Sequence, residues 1–320
     1  MDNVICAAIH RKRGTSMNYT PEQIKAVKAQ GFLFNNDKEH FNGRVITENG
    51  VLNAQRLAAI AEAAKKFGNG EVSFTTRMTV EVHGLHYEDI EAFQAELAKA
   101  GLVTGGTGAK VRPVVACKGT MCVFGLIDTQ GLAKEIHKRF YEGYRSVALP
   151  HKFKIAVGGC PNNCAKPDLN DIGIIGQRIP RINKEACRGC KKCACEAECP
   201  IGACHVVDGT LVIDEEKCNH CGRCITKCYF GANEGSQSFY KIYIGGRWGK
   251  QVRQGQALKH LCATKEEAMD MVEKAILLFK SQGKKGERFS SLVERLGMDK
   301  VEEILLSDDL LQRKEEILAE

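Results

Sequence analysis

The distribution of cysteines constrains this chain more than any other feature of its sequence. Ten of the sixteen cysteines fall between Cys187 and Cys228, whereas a disulfide framework spreads its cysteines along the chain. In a cytoplasmic protein, such clustering is typical of metal ligands. The N-terminal MDNVICAAIHRKRG places its basic residues after a short apolar stretch, the reverse of a secretory signal. No run approaches the ~18 apolar residues of a membrane helix. We expect a cytoplasmic, metal-binding chain with no membrane insertion.

Two cysteine runs repeat the ligand spacing of a bacterial two-cluster ferredoxin. Each reads C-x-x-C-x-x-C, and a more distant cysteine follows, Cys199 before Pro200 in the first run and Cys228 in the second. Three thiolates at this spacing can wrap one corner of a [4Fe–4S] cubane, while the fourth of each run binds the other cluster. The predicted ligand sets are Cys187, Cys190, Cys193 and Cys228 for one cluster, and Cys199, Cys218, Cys221 and Cys224 for the other.

Both runs depart from the usual ferredoxin pattern. Cys195 lies in the widened gap of the first run, where it could displace Cys199 or Cys193 as a ligand. The second run ends in Tyr229 where a proline is usual. A pair of zinc sites is the alternative, although zinc sites use two C-x-x-C pairs rather than tight triplets. The spacing favours a module that carries electrons.

A second group of cysteines lies upstream of these runs. Cys117 and Cys122 bracket KGTM, and Cys160 and Cys164 bracket PNN, with a predicted helix and strand between the pairs. The two pairs could converge on a third iron–sulfur cluster. A zinc site remains an alternative on the spacing alone.

Periodicity and capping signals predict an α+β fold. Helices are expected over about 53–67, 87–100, 129–144 and 264–280, the last opened by a Thr264–Glu267 capping box, and two shorter helices are expected to close the chain. Strands are expected at 71–83, in KFKIAV and in FYKIYIGG, and HVVDGTLVID predicts a hairpin that turns at Asp208-Gly209. GLVTGGTGAK lacks the GK[ST] ending of a phosphate-binding loop. The expected domains are 1–108, 109–180 with 237–320, and an inserted ferredoxin domain at 181–236.

The charge balance fits bound cofactors better than nucleic acid. Lys and Arg total 46 against 39 for Asp and Glu, a formal net charge of +7. Aromatic residues make up 7% of the chain with a single Trp, so platforms for stacking bases are scarce. Thiolate-bound clusters and carboxylate-rich cofactors are anionic. The basic excess is therefore interpreted as their counter-charge, and no nucleic-acid partner is expected.

Several motifs in order resemble the siroheme-dependent sulfite and nitrite reductase family. They are FTTRMTVEVHGL, LPHKFKIAVGGCPNNCAKPDLNDIGIIG and the paired cysteines, and the similarity spans about residues 40–300. The ferredoxin insert and short chain are most similar to the catalytic component of the anaerobic sulfite reductase and its single-repeat relatives. The resemblance implies a single-repeat sulfite reductase fold, in which a ferredoxin-like half-domain accompanies a siroheme and [4Fe–4S] domain.

The resemblance also implies roles for individual residues. The siroheme-linked cluster falls to Cys117, Cys122, Cys160 and Cys164, with Cys164 bridging to the siroheme iron, although the first pair is one residue closer than in the larger enzymes. The matching anion-binding set is Arg44, Arg112, Lys152 and Lys154. Arg77 matches an arginine that serves the siroheme carboxylates. Arg247 and Lys250, in GGRWGK after the insert, could pair with the same carboxylates.

The implied activity is reduction of sulfite to sulfide by six electrons, with three [4Fe–4S] clusters and one siroheme. Nitrite reduction is the alternative enzyme, and a non-catalytic electron-transfer subunit is the alternative from another class. No G-x-G-x-x-G follows a strand and opens a helix, so electrons are expected from a flavoprotein or iron–sulfur subunit or a ferredoxin. The larger enzymes divide anion-binding residues and cluster cysteines between two fused repeats. This chain has one repeat with both sets, which predicts a homodimer or a multisubunit complex with a shared site.

Other notable residues receive ordinary structural interpretations. Cys6, Cys204 and Cys262 have no spacing partner and are expected to be buried or incidental thiols. The histidines His83, His86 and His137 are expected to be structural, and residues 11–13 to be a solvated basic terminus.

Overall fold

The computed structural model describes residues 19–319, which form two compact units. The first unit comprises residues 19–45, Ala54–Ser73 and Val80–Gly105. The second comprises Ile46–Asn53, Phe74–Thr79 and residues 106–319. Cys6 and the basic residues 11–13 lie outside the described residues.

The first unit contains a four-stranded sheet and three helices. In chain order the elements are α1 (Pro21–Ala29), β1 (Phe32–Phe34), β2 (Phe41–Val45), α2 (Ala54–Phe67), β3 (Val72–Phe74), β4 (Val80–Leu85) and α3 (Ile90–Lys99). The sheet order is β1-β2-β4-β3, and β2 pairs antiparallel with both β1 and β4. Its core is aromatic, since Phe32, Phe41 and Phe93 are fully buried. The two helices expected in this region are confirmed as α2 and α3.

The strand region predicted over 71–83 contains two strands that form a hairpin. Strand β3 ends at Phe74, and β4 begins at Val80. The Thr75 hydroxyl accepts hydrogen bonds from the amides of Arg77 (3.3 Å) and Thr79 (3.2 Å), and Met78 has a positive φ of 59°. Such side-chain-to-backbone bonds favour a turn over a continuous strand. Arg77 therefore lies on a tight turn.

The second unit is built on a mixed five-stranded sheet. Its strands are β5 (Val115–Ala116), β6 (Ile155–Gly158), β7 (Ile172–Arg178), β10 (Ser238–Ile244) and β11 (Gln256–Cys262). The order is β11-β10-β7-β6-β5, with β5, β6 and β7 parallel and β7, β10 and β11 antiparallel. Strand β11 has no counterpart among the predicted elements. The strand expected in KFKIAV begins only at Ile155.

Helices cover this sheet and supply most of its apolar core. They are α4 (Thr129–Ile136), α6 (Lys265–Gln282), α7 (Phe289–Leu296), α8 (Met298–Leu306), α9 (Asp309–Gln312) and α10 (Lys314–Ala319). Helix α4 continues as a π-helical segment, His137–Glu142, close to the predicted end. The Thr264 hydroxyl caps α6, but the Glu267 carboxylate accepts from Ala263 N–H (2.7 Å), so only half of the capping box forms. Four helices, rather than the expected two, close the described part of the chain.

The cysteine-rich segment lies between β7 and β10. It contains a short helix, α5 (Ala194–Glu198), and a hairpin of β8 (Cys204–Val207) and β9 (Thr210–Ile213). The predicted hairpin is confirmed, because Asp208 and Gly209 both have positive φ (47° and 73°), as a type I′ turn requires. A bridge from Arg178 to Cys221 joins the segment to the end of β7, and a bridge from Ile182 to Asn233 joins the two ends of the segment.

No helix within residues 19–319 is both long and apolar enough to cross a bilayer.

Candidate functional site

Four of the predicted ligands line one cavity of about 470 Å³ in the second unit. Cys117 follows β5 and Cys160 follows β6, and these two strands are parallel neighbours. The carboxyl ends of parallel neighbours meet at one edge of a sheet, which brings together cysteines 43 positions apart in sequence. Cys122 and Cys164 complete the lining from the loops that follow.

Glycines allow the two cysteine loops to touch. A Cβ atom on Gly119 would lie 2.9 Å from the Cα of Gly159, and one on Gly176 would lie 2.5 Å from the carbonyl oxygen of Gly159. Neither distance is tolerable, so any side chain here would separate the loops. Only glycine therefore fits beside the cysteines in the CKG and GGC segments.

The loop between Cys160 and Cys164 turns back through left-handed backbone. Asn163 has φ of 57°, and its side-chain amide donates to Asp168 (2.7 Å). Asparagine tolerates this conformation better than most residues. The turn presents Cys164 as the exposed member of the four, whereas Cys117, Cys122 and Cys160 are half-buried.

The environment of these sulfur atoms suits thiolates bound to iron. The Gly159 N–H donates to the Cys117 sulfur (3.2 Å). Burial raises the pKa of Cys160, and the neighbouring sulfurs of Cys117, Cys164 and Cys122 raise it further against one backbone hydrogen bond. Four crowded thiolates therefore need a cationic centre to neutralise them. The residues present fit a [4Fe–4S] cluster.

In the cysteine-rich segment, one complete predicted ligand set converges. Cys199, Cys218, Cys221 and Cys224 line a single small cavity, together with Cys204. The Ala203 N–H donates to the Cys199 sulfur (3.2 Å). Sequence spacing provided no reason to place Cys204 here, because it belongs to neither run. Its position follows from the hairpin, of which it is the first residue.

Three members of the second predicted set pack against a small core in the same segment. Cys187, Cys193 and Cys228 pack against buried Cys195, Cys204, Leu211 and Ile225, while Cys190 is exposed. The Leu211 N–H donates to the Cys187 sulfur (3.3 Å). Cys195 is fully buried, and burial, reinforced by Cys193 and Cys228, raises its pKa to about 12. Cys204 and Cys262 are buried thiols, as predicted.

Cations gather at the opposite end of β5 and β6. Lys152 and Lys154 precede β6 and flank Phe153, which is fully buried and bridges to Val111. Because side chains alternate along extended backbone, the lysines point away from that core. Burial lowers the pKa of Lys154 to about 8, and the positive charges of Arg77, Arg288 and Lys152 contribute.

Arginines complete this cluster of positive charge. Burial lowers the pKa of Lys152, with the charges of Arg288, Arg112 and Arg247 adding to the effect. Burial likewise lowers the pKa of Arg77 to about 10, although Asp171 opposes the shift. Three of the predicted cations, Arg112, Lys152 and Lys154, are thus brought together with Arg77 and Arg247.

Asp171 and Arg288 hold this cluster in place, and neither was predicted. Asp171 is fully buried, and its carboxylate accepts from the Lys154 backbone N–H (2.9 Å) and from Arg288 Nη2 (3.1 and 3.3 Å). Burial raises the pKa of Asp171, whereas Arg288 and Lys154 oppose that rise. Arg288 precedes α7, far from any motif, so only the tertiary structure could identify it.

The remaining predicted residues are placed differently. The Arg77 guanidinium donates to the carbonyls of Pro113 (2.9 and 2.7 Å) and Ile155 (2.9 Å) and to Asn170 (2.9 Å). Arg44 lies on β2 in the first unit, where it pairs with Glu81. Arg247 is half-buried, whereas Lys250 is exposed. Of the three histidines, His137 is buried, His83 half-buried and His86 exposed.

Comparisons with known proteins agree with this architecture. The model of the nitrite and sulphite reductase 4Fe-4S domain matches residues 107–314, and that of the nitrite/sulfite reductase ferredoxin-like half domain matches residues 35–100. The crystal structure of dissimilatory sulfite reductase I is similar with a TM-score of 0.66 at 23% identity, covering 83% of this chain and 68% of that one. The Mycobacterium tuberculosis NirA protein is similar with a TM-score of 0.64 at 16% identity, covering 90% of this chain and 46% of that one. These likenesses support the same fold.

Curated relatives share up to about a third of their aligned residues. The coenzyme F420-dependent sulfite reductase of Methanocaldococcus jannaschii is 33% identical over 77% of this chain and 39% of its own length. An uncharacterized protein of that organism is 34% identical over 82% of this chain and 90% of its own. A component of the anaerobic sulfite reductase of Salmonella typhimurium is 32% identical over 52% of each. The chain thus spans about two fifths, nine tenths and half of the lengths of these three relatives. The two domain matches, which together cover most of the chain, lead to one conclusion: this chain belongs to the nitrite and sulphite reductase family with a 4Fe-4S domain.

Proposed function

We propose that this chain is the catalytic subunit of a siroheme sulfite reductase, which reduces sulfite to sulfide. The observation that carries the proposal is the layout of β5 and β6: cations precede both strands, and cluster-type cysteines follow both. Family membership implies a [4Fe–4S] cluster and a siroheme. When bound, the siroheme and its linked cluster would supply electrons for the reduction and a metal that binds the sulfur atom of sulfite.

The four cavity cysteines hold the siroheme-linked cluster in this proposal. Cys164 would be the residue that holds the siroheme next to the cluster, as the resemblance implied. Its exposure supports that role, because a sulfur that faces a second group must reach beyond the cavity. Cys117, Cys122 and Cys160 are half-buried and hold the other corners.

The cation cluster binds and protonates the anion. Lys152, Lys154 and Arg112 offer converging N–H donors, which bind a dianion more strongly than neutral donors do. Because its pKa is lowered to about 8, the Lys154 ammonium can release a proton near neutral pH. Protons delivered to the oxygen atoms of sulfite help them leave as water. Asp171 anchors the backbone of Lys154 and so fixes its position.

The layout also supports a site shared between two copies of the chain. The cations and the cavity cysteines lie at opposite ends of β6, whose four residues span about 13 Å. One chain's cations therefore point to a different edge of the sheet from its own cysteines. A second copy, arranged by two-fold symmetry, could bring its cations to the first copy's cluster.

The cysteine-rich segment is proposed to carry two further [4Fe–4S] clusters as an inserted ferredoxin domain at 181–236. Arg223, between two of the convergent cysteines, lies over the ring of Phe124 (5.4 Å to the centroid), and Phe124 lines the four-cysteine cavity. The cluster on Cys199, Cys218, Cys221 and Cys224 is therefore the inner one. The other set includes exposed Cys190, which favours it as the entry point for electrons from an external flavoprotein, iron–sulfur subunit or ferredoxin.

A spectrum of the anaerobically purified protein tests the proposed function. We expect a siroheme band that shifts when sulfite is added to the reduced protein, and about thirteen iron atoms per chain for three four-iron clusters and one siroheme. Iron–sulfur absorption without siroheme, after the cofactor has been supplied during expression, would favour the electron-transfer subunit. Comparing kcat/KM for sulfite and nitrite distinguishes the two reductases.

Replacing Cys199 and Cys195 in turn tests the assignment of cluster ligands. Cys199→Ala should remove one ferredoxin-type cluster, because it deletes a sulfur from the convergent set. Cys195→Ala should retain both, because that thiol is buried in the core with its pKa raised to about 12. Iron content and EPR of the reduced variants provide the measurement. Loss of a cluster in Cys195→Ala but not in Cys199→Ala would reverse the assignment.

A further inference from the structure

Three metal-binding side chains converge at the end of β11, outside the site described above. His260 and Cys262 are two residues apart on this strand, and Glu267 lies in the first turn of α6. Their ligand atoms all lie within 4.8 Å of one another. Within residues 19–319 no other three histidine, cysteine or acidic side chains meet that condition. This close approach is what a single metal ion requires.

The three side chains are buried to different depths. Cys262 is fully buried, whereas the side chains of His260 and Glu267 are 36% and 34% exposed. The sulfur therefore forms the floor, and the imidazole and carboxylate form a rim that solvent reaches.

The surrounding hydrogen bonds hold the rim groups in position. His260 Nε2 contacts one oxygen of Glu267, and the other oxygen accepts from the Ala263 N–H (2.7 Å). The backbone N–H of His260 donates to Glu302 (2.9 Å), a buried carboxylate on α8. Strand β11 and the start of α6 are thus fixed relative to each other before any ion binds, which lowers the entropic cost of binding.

The ligand types define the class of metal. One thiolate and one carboxylate neutralise a divalent cation, and a neutral imidazole adds a borderline-soft nitrogen. A mixed sulfur, nitrogen and oxygen set suits zinc, whose tetrahedral shell a water can complete. The ion would displace the thiol proton to solvent as the metal–sulfur bond forms.

We propose that His260, Cys262 and Glu267 bind one zinc-class divalent ion, separate from the iron centres. The ion links the end of β11 to the first turn of α6, whose buried face supplies much of the apolar core of the second unit. Its role is structural, since the three groups leave the cation cluster and the cluster cysteines untouched.

Zinc binding to the cluster-loaded protein tests this proposal, because iron then occupies the twelve cysteines assigned to clusters. Competition with a chromophoric chelator should reveal about one tight zinc site per chain, weakened at least about tenfold in Cys262→Ala and in Glu267→Gln. The matched control is His40→Gln, which removes a histidine paired with Asp37 (3.0 Å) in the first unit and should leave zinc affinity unchanged. X-ray absorption at the zinc edge should show one sulfur at about 2.3 Å and nitrogen or oxygen at about 2.0–2.1 Å.

Three results would overturn the proposal. They are the absence of a tight zinc site in the unsubstituted protein, unchanged zinc affinity in both variants, and a zinc spectrum with several sulfur neighbours. Unchanged iron–sulfur spectra and cooperative unfolding would establish that each variant is folded. Should Cys262→Ala not fold, Glu267→Gln alone decides, because glutamine can still accept from Ala263 and leaves the core intact.

Discussion

Replacing Lys154 by alanine is expected to lower kcat/KM for sulfite by about a hundredfold or more, because it removes a charged donor that acts as charge develops on the anion. The iron–sulfur spectra should not change, since Lys154 is not a cluster ligand and does not line the four-cysteine cavity. Steady-state kinetics with a chemical reductant provide the measurement. Lys138→Ala, an exposed lysine on the π-helical segment, is the control and should retain full turnover.

The pH dependence gives the same residue a second test. With the pKa of Lys154 at about 8, its positive charge is lost as pH rises through that value, so kcat/KM should fall above about pH 8. Lys154→Arg keeps a charge in this range, and its alkaline limit should move to higher pH. Comparing the pH profiles of the unsubstituted protein and of Lys154→Arg separates the titration of Lys154 from that of sulfite itself. Unchanged turnover in Lys154→Ala, or the same alkaline limit in Lys154→Arg, would remove Lys154 from this role.

The titration of Lys154 affects folding stability in the direction opposite to its effect on turnover. The unfolded lysine keeps a pKa near 10.5, while the folded one has about 8, so between these values the unfolded state binds more protons. The contribution of Lys154 to the free energy of unfolding therefore rises with pH across this window. Between about pH 8 and pH 10.5, anion binding should therefore weaken while the destabilising effect of Lys154 on the fold decreases.

Asp171→Asn is the second change with a large expected effect. It leaves the Arg288 charge buried without its carboxylate, which should lower the free energy of unfolding by about 3–5 kcal/mol. The asparagine NH2 group would also replace one accepting oxygen by a donor, and it would then face Arg288 Nη2, which is itself a donor. Denaturant unfolding of the cluster-loaded protein measures the loss, and sulfite affinity should fall with it because Lys154 loses its anchor.

Two companion variants make this prediction specific. Asp299→Asn breaks a fully exposed pair with Lys259 and should change stability little, because water solvates both charges. Asp171→Asn combined with Arg288→Met removes the unpaired charge and should recover part of the lost stability. A single Asp171→Asn variant as stable as the unsubstituted protein would contradict the account of this buried pair.

Local features were predictable where the chemistry lies close together in sequence. The Asp208-Gly209 hairpin follows from turn chemistry, and α2 and α3 follow from the apolar spacing and the glycine after each. The cysteine spacing likewise predicts clusters rather than disulfides. The family resemblance, which the domain matches confirm, rested on motifs of the same local kind.

Other features depended on contacts that short-range patterns do not record. Residues 71–83 alternate like one strand, but hydrogen bonds to the Thr75 hydroxyl turn them into a hairpin. Strand β11 carries polar residues on an edge, and its apolar alternation is too weak to mark it. Arg288 and Asp171 are 117 positions apart, and no sequence motif near either residue indicates that they pair.

Which residues are suited to bind iron and which carry charge follows from the sequence, because ligand spacing and side-chain chemistry are local properties. Which of these residues meet depends on the fold. Parallel pairing of β5 with β6 joins the two cysteine pairs at one edge and gathers the lysines at the other. Burial then sets the acidity of Lys154, since the cost of removing a charge from water depends on the surrounding fold.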